Sequence, residues 1–168
     1  APILTRFWRF LLIGGCMAVY FITMFEALRL TTAVSTAAVF TLTPLLATGF
    51  SYVLLSHRTS MATFAALSIG ACGAIWVIFR AGWAALLRFE IGLGEAIFML
   101  GALAHGAVPS LSDKLLGEVS PLQAALGTTV GALIVAGVYG LRDLVAVPYA
   151  ALPGLVWLVL LYLAVVTT

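Results

Sequence analysis

Charge is what this sequence has least of. Its 168 residues include 8 Lys and Arg, 6 Asp and Glu and 2 His, so charged side chains make up 8% of the chain, against about 25% in an ordinary soluble domain. That scarcity excludes a water-solvated surface of normal extent. The basic residues stand singly and the net charge is only +2, which excludes the basic footprint of a nucleic-acid-binding protein. Cysteine is scarce too: Cys16 and Cys72 each fall inside an apolar run and read as packed structural thiols, with no disulfide or metal framework. No phosphate loop, zinc-ligand spacing or nucleophile motif occurs, and no cofactor is expected.

What the chain has instead is apolar length, with 64% hydrophobic residues and a mean hydropathy of +1.20. Six stretches lack Asp, Glu, Lys and Arg altogether: Phe10 to Phe25, Leu30 to Ser56, Thr59 to Phe79, Ala96 to Ser112, Val119 to Leu141 and Leu144 to Thr168. A spanning helix needs about 20 mostly apolar residues. In hydrocarbon each backbone polar group must be paired internally, which leaves helices or closed barrels, and these runs do not alternate as barrel strands do. The expectation is an all-α integral membrane protein with six transmembrane helices, the short links making sequential helices antiparallel neighbours. The first and fourth runs are short, but flanking arginines snorkel and helices tilt. Pro148 and Pro153 form an entry loop to the sixth, whose helix should start near Leu155.

The longest break runs from Arg80 to Glu95. Arg80, Arg88 and Glu90 stand there around Trp83, Leu86, Leu87 and Phe89, a mixture suited to the membrane surface with Trp83 at headgroup depth. It divides the chain into 1–80 and 94–168, with 81–93 as an interfacial linker. Orientation does not follow from charge: Arg6, Arg9, Arg58 and Lys114 fall on one side, and Arg29, Arg80, Arg88 and Arg142 on the other. Arg6 and Arg9 before Phe10 imitate a signal peptide, yet more membrane follows, so cleavage is not expected. The first residue is not Met and the last run ends without a closing charge; the sequence reads as a segment of a longer protein.

A few polar or helix-breaking groups inside the runs carry the functional reading. Pro44 lacks an N–H and would leave the carbonyl of Phe40 unbonded in a continuous helix; Pro109 would do the same to His105. Interrupted helices present such backbone groups to substrates in transporters, although membrane helices also tolerate plain proline kinks. On a helical period Thr32, Thr36, Phe40, Thr43 and Ala47 share one face beside Pro44. This stripe suits a substrate path or helix packing. Glu26 lies near the end of the first run, where it either exchanges a proton facing a cavity or forms an interfacial ion pair with Arg29. His105 can bond solute, take a proton or bond a neighbouring helix. Glu95 reads as interfacial and His57 as exposed. Gly127 and Gly131 form a G-x-x-x-G spacing for close helix packing, and Asp113, Lys114 and Glu118 are spaced for local ion pairs.

The stretch Phe25-Glu26-Ala27-Leu28-Arg29-Leu30-Thr31-Thr32-Ala33, followed by Ser35-Thr36-Ala37-Ala38 and Leu42-Thr43-Pro44-Leu45, resembles the EamA family of the drug/metabolite transporter superfamily. Gly70, Gly73, Gly94-Glu95-Ala96, Ala104-His105-Gly106-Ala107 and Ser120-Pro121 continue the resemblance over almost the whole chain. At Ser56-His57-Arg58 the chain departs from it, because the family carries Gly-Glu and then a basic residue there. The resemblance implies a ten-helix inner-membrane protein of two inverted five-helix repeats. The six runs would then be helices three to eight, with 1–80 ending the first repeat and 94–168 opening the second.

The leading expectation is therefore a transporter, a permease or exporter of a small organic metabolite, working by alternating access with a coupling proton. Glu26, Thr32, Thr36, Phe40, Thr43, Pro44, His105 and Pro109 are its path or coupling candidates. The expected partners are a small-molecule solute, the lipid bilayer and the proton, and a homodimer stays open. Two other readings stand beside it. One is a structural subunit of a membrane complex. The other is an intramembrane enzyme using His105 or Glu26 beside Ser110 or Ser112, for which the spacing supplies no orienting third group.

Overall fold

The computed structural model describes residues 3–79, 82–84 and 91–166 of the chain. Among the described residues seven α-helices have defined bounds: α1 (Ile3–Leu28), α2 (Ala33–Phe40), α3 (Thr43–Leu55), α4 (Met61–Ile78), α5 (Leu93–Leu116), α6 (Pro121–Ala146) and α7 (Gly154–Val166). No strand occurs among the described residues. Among them five segments are long and apolar enough to cross a membrane: Phe7–Leu28, Ala33–Leu55, Met61–Ile78, Leu93–Leu116 and Pro121–Ala146.

Five such segments, rather than the six expected, follow from the last run. Its first part is spent on Pro148, a 3-10 turn at Tyr149–Ala151 and Pro153. The helix beyond, Gly154–Val166, is described over 13 residues, about 20 Å at 1.5 Å per residue, and residues 167 and 168 lie outside the described ones. The expected entry loop is there, with α7 starting at Gly154 beside the anticipated Leu155.

Local chemistry accounts for the helix ends. Ser60 caps α4, its hydroxyl accepting from the Thr63 N–H at 3.2 Å, as a serine at that position does for an orphan donor. Ser56 ends α3 at φ 57°, left-handed, while the N–H of His57 returns to the Ser51 carbonyl. Such a closure satisfies carbonyls that the last turn would leave bare. Pro121 opens α6 just after Ser120, a place where the missing N–H costs nothing.

The chain forms two compact units, residues 1–136 and 137–168. In the first, α5 is the central helix, and it packs on α1, α2 and α3. Small residues make that approach possible. A Cβ at Gly101 would collide with Thr23 and Tyr20 of α1, one at Gly94 with Thr31, and one at Gly106 with Leu46 of α3. Beside this seam lies a core of Ala27, Val39, Leu42, Ile78, Phe98 and Ala102. The G-x-x-x-G of α6 packs as expected: Cβ atoms at Gly127 and Gly131 would strike Phe10 of α1, and Gly14 meets the backbone of Thr128 and Ala132. In the second unit the Tyr149 hydroxyl donates to the Leu144 carbonyl at 2.6 Å, and its ring lies 6.5 Å from that of Trp157.

The contacts also order the ends of the first unit. Arg9 Nη1 donates to the Leu115 carbonyl at 2.9 Å, and Lys114 Nζ to the Leu54 carbonyl at 3.2 Å, bringing Arg9, Leu54 and Lys114 to one end. Thr31 meets Glu95 at the other. Thus α1 runs antiparallel to α5, and the α2–α3 span runs parallel to it. Of the surface-lying break, Trp83 is exposed with its ring 4.8 Å from that of Trp76; Arg80, Leu86, Leu87, Arg88, Phe89 and Glu90 lie outside the described residues. Of the two thiols, Cys16 is half-buried and Cys72 is exposed, so the packing expected of Cys72 is not found; Gly70 and Gly73 of α4 likewise meet nothing within 4 Å.

Candidate functional site at the broken second span

The second membrane-crossing segment is not one helix. α2 ends at Phe40, Thr41 and Leu42 form a turn, and α3 begins at Thr43 with Pro44 in its first turn. The Leu42 N–H reaches back to the Val39 carbonyl at 3.1 Å, and the Thr41 hydroxyl to the Ala38 carbonyl at 2.7 Å. The backbone stays right-handed through the turn, Thr41 at φ −64°, ψ −13° and Leu42 at φ −77°, ψ −16°, so the interruption expected at Pro44 is a tightened helical turn just before the proline and not an unwound segment. Pro44 then falls in the first turn of α3, where its ring needs no i−4 partner. The sequence separation across the seam with α5 falls from 64 at Thr31–Glu95 to 60 at Leu54–Lys114, a slip that the turn absorbs.

The break divides the expected stripe. Thr32 is the N-cap of α2, accepting from the Ser35 N–H at 3.2 Å. The buried Thr36 hydroxyl donates to the Ala33 carbonyl at 3.0 Å. Both hydroxyls are thus committed to their own backbone. Thr43, at the head of α3, is buried with a hydroxyl that has no hydrogen-bond partner. Pro44 is exposed.

Beside the break, rings from three helices meet. The Tyr20 ring of α1 lies 4.5 Å from the His105 imidazole of α5, 5.6 Å from Phe40 and 5.7 Å from Phe98; Phe40 lies 5.7 Å from His105. These separations fall in the range of favourable ring contact. Phe98 is fully buried, whereas Phe40 is 39% exposed, so the cluster opens outward at Phe40. Within it His105 Nδ1 is buried without a hydrogen-bond partner. A buried polar atom of this kind calls for an explanation; His105 Nδ1, Thr43 Oγ1 and, at the far end of α1, Arg9 Nε all belong to segments apolar enough to cross a membrane, and the first two flank the break.

Of the sequence candidates, Phe40 and His105 are brought together, and Thr43 stands at the break they flank. Pro109 is exposed and lies inside an uninterrupted α5, so the second expected interruption is not formed. Glu26 sits near the end of α1 with Arg29 Nη1 at 3.4 Å from its Oε2, the interfacial ion pair. Tyr20 and Phe98 were not singled out from sequence. A tyrosine in mid-run is the signal that could have been used, since tyrosine belongs mostly at the interface.

Glu95 departs from expectation. It is only 3% exposed, and the Thr31 hydroxyl donates to its Oε1 at 2.5 Å. As the third residue of α5 it folds back over Gly92, the N-cap, where a Cβ would collide with Oε2; this is the reach of a capping-box glutamate. Its carboxylate also borders a cavity of about 600 Å³ that is otherwise apolar, lined by Val39 and Leu42 at the break and by Ile75, Ile78 and Met99 among others. The broken span thus has the ring cluster at Phe40 and this cavity at Val39 and Leu42.

Among the described residues no group of His, Cys, Asp and Glu is placed to hold a metal ion. Chemically the site offers π-faces, an imidazole and a hydroxyl, each able to donate or accept, next to apolar volume. No family model, curated protein or solved structure matches the chain.

Proposed function

We propose that this chain is part of a multi-pass inner-membrane transporter that moves a small organic metabolite by alternating access. The observation that carries the reading is the interruption of the Ala33–Leu55 span at Thr41–Leu42, flanked by the unpartnered Thr43 hydroxyl and His105 Nδ1. Irregular backbone and unsatisfied polar groups are costly in hydrocarbon and are kept where they line a cavity or solute path. The resemblance to the EamA family supports the same reading and supplies the ten-helix, two-repeat architecture to which these helices would belong. In it, Phe40 and His105 contact the solute, Tyr20 holds the imidazole in place, and Thr43 offers the hydroxyl.

The test is solute flux. The complete transporter of which this chain is proposed to be part, reconstituted in vesicles loaded with a mixture of labelled amino acids, amines and sugars, is expected to release or take up a subset of them faster than empty vesicles. His105→Ala and Phe40→Ala should each lower that flux strongly. Equal flux with and without the protein would favour a non-transporting structural subunit instead.

A further inference from the structure

At the opposite end of α1 from the Glu95 cavity, a second concavity of about 430 Å³ runs along the seam of α1, the end of α5 and α6, lined by Phe7, Phe10, Leu115, Leu126 and Val130 with Arg9 at its margin. Arg9 is half-buried. One of its donors goes to the Leu115 carbonyl, at 2.9 Å, while Nε is buried without a partner, and it forms no ion pair among the described residues. The guanidinium carbon lies 5.7 Å over the Trp8 ring; a half-buried guanidinium still gains from an anion, and its fork of donors matches phosphate oxygens. We infer that this groove binds an anionic phospholipid, the phosphate on Arg9 and an acyl chain along Phe7, Phe10, Leu126 and Val130.

The lining argues for a lipid over a free anion, because most of its side chains are apolar and the polar ones, Arg9, Glu118 and Gln123, are the minority. Basic sites between membrane helices near the headgroup level take lipid headgroups in this way. Lys114, on the next turn of α5, is already committed to the Leu54 carbonyl. Glu118 borders the same end of the groove, so selection falls to the Arg9 guanidinium and not to a broad positive field. The inference does not depend on transport.

The experiment is thermal unfolding of the purified full chain in detergent with added phosphatidylglycerol, phosphatidylcholine or inorganic phosphate. Phosphatidylglycerol is expected to raise the midpoint at lower concentration than phosphatidylcholine, and inorganic phosphate to leave it unchanged. Arg9→Gln should need about tenfold more phosphatidylglycerol for the same shift, the loss of one charge-assisted bond. Leu126→Trp keeps Arg9 and fills the groove at an exposed position; it should weaken the response to the same degree and guards against a folding defect in the first variant. Equal responses to both lipids, a response to phosphate alone, or an undiminished response in both variants would overturn the inference.

Discussion

The imidazole of His105 lies 4.5 Å from the ring of Tyr20, tying α1 to α5 at the level where the second span is broken. A ring contact at this distance makes the pair worth more than its separate parts. A double-mutant cycle with Tyr20→Leu and His105→Leu, read by unfolding in mild detergent, is expected to give a coupling of about 0.5–1.5 kcal/mol.

The α1–α5 seam should tolerate no side chain at its closest point. Gly101→Val places carbon where Thr23 and Tyr20 already stand; the backbone or its neighbours must shift, at a cost of about 1–3 kcal/mol. Gly73→Val, which meets nothing within 4 Å, is the control. The expected outcome is a clear fall in thermal midpoint for the first and little change for the second.

Thr31 and Glu95 fasten the start of α5 to the link after α1. Thr31→Val keeps the shape and removes the donor, leaving a buried carboxylate with one fewer partner, and should cost about 1–3 kcal/mol. Thr31→Ser, which restores the hydroxyl, should recover most of that loss in the same unfolding assay.

Glu26 tests the opposite case. Its pair with Arg29 is mostly exposed, with 75% of the arginine side chain and 39% of the glutamate side chain accessible, and such pairs contribute only a few tenths of a kcal/mol, roughly 0.2–0.5. Glu26→Gln is expected to leave both stability and vesicle flux within error of the parent. A lost pH dependence of flux would instead make Glu26 the coupling group.

These expectations show which parts of the molecule the sequence carries openly. Apolar run length depends on local composition, so the first five spans, the Pro148–Pro153 entry loop and the Gly127/Gly131 packing were legible. Pro44 marked an interruption or a kink, but the place of the turn at Thr41–Leu42 was not legible, because neither residue breaks a helix by itself and a proline is compatible with a kink or a start. Only the seam with α5 decides between them. Glu95 was read as interfacial, and it does stand in the first turn of α5; its burial under Thr31 was not legible, because the two residues are far apart in sequence. Phe40 and His105 were both singled out, but their meeting with Tyr20 and Phe98 joins residues far apart in sequence, which no periodicity encodes.

The central claim is that the broken second span borders a solute path, and aqueous access to it can be measured without knowing the solute. In a chain carrying Cys16→Ala and Cys72→Ala, single variants Phe40→Cys, Thr43→Cys and Ile69→Cys would be treated in native membranes with a charged, water-soluble thiol reagent. Ile69 is 75% exposed on α4 and serves as the lipid-facing reference. The account predicts labelling at positions 40 and 43 and none at 69; absence of labelling at 40 and 43, with the protein folded, would contradict it.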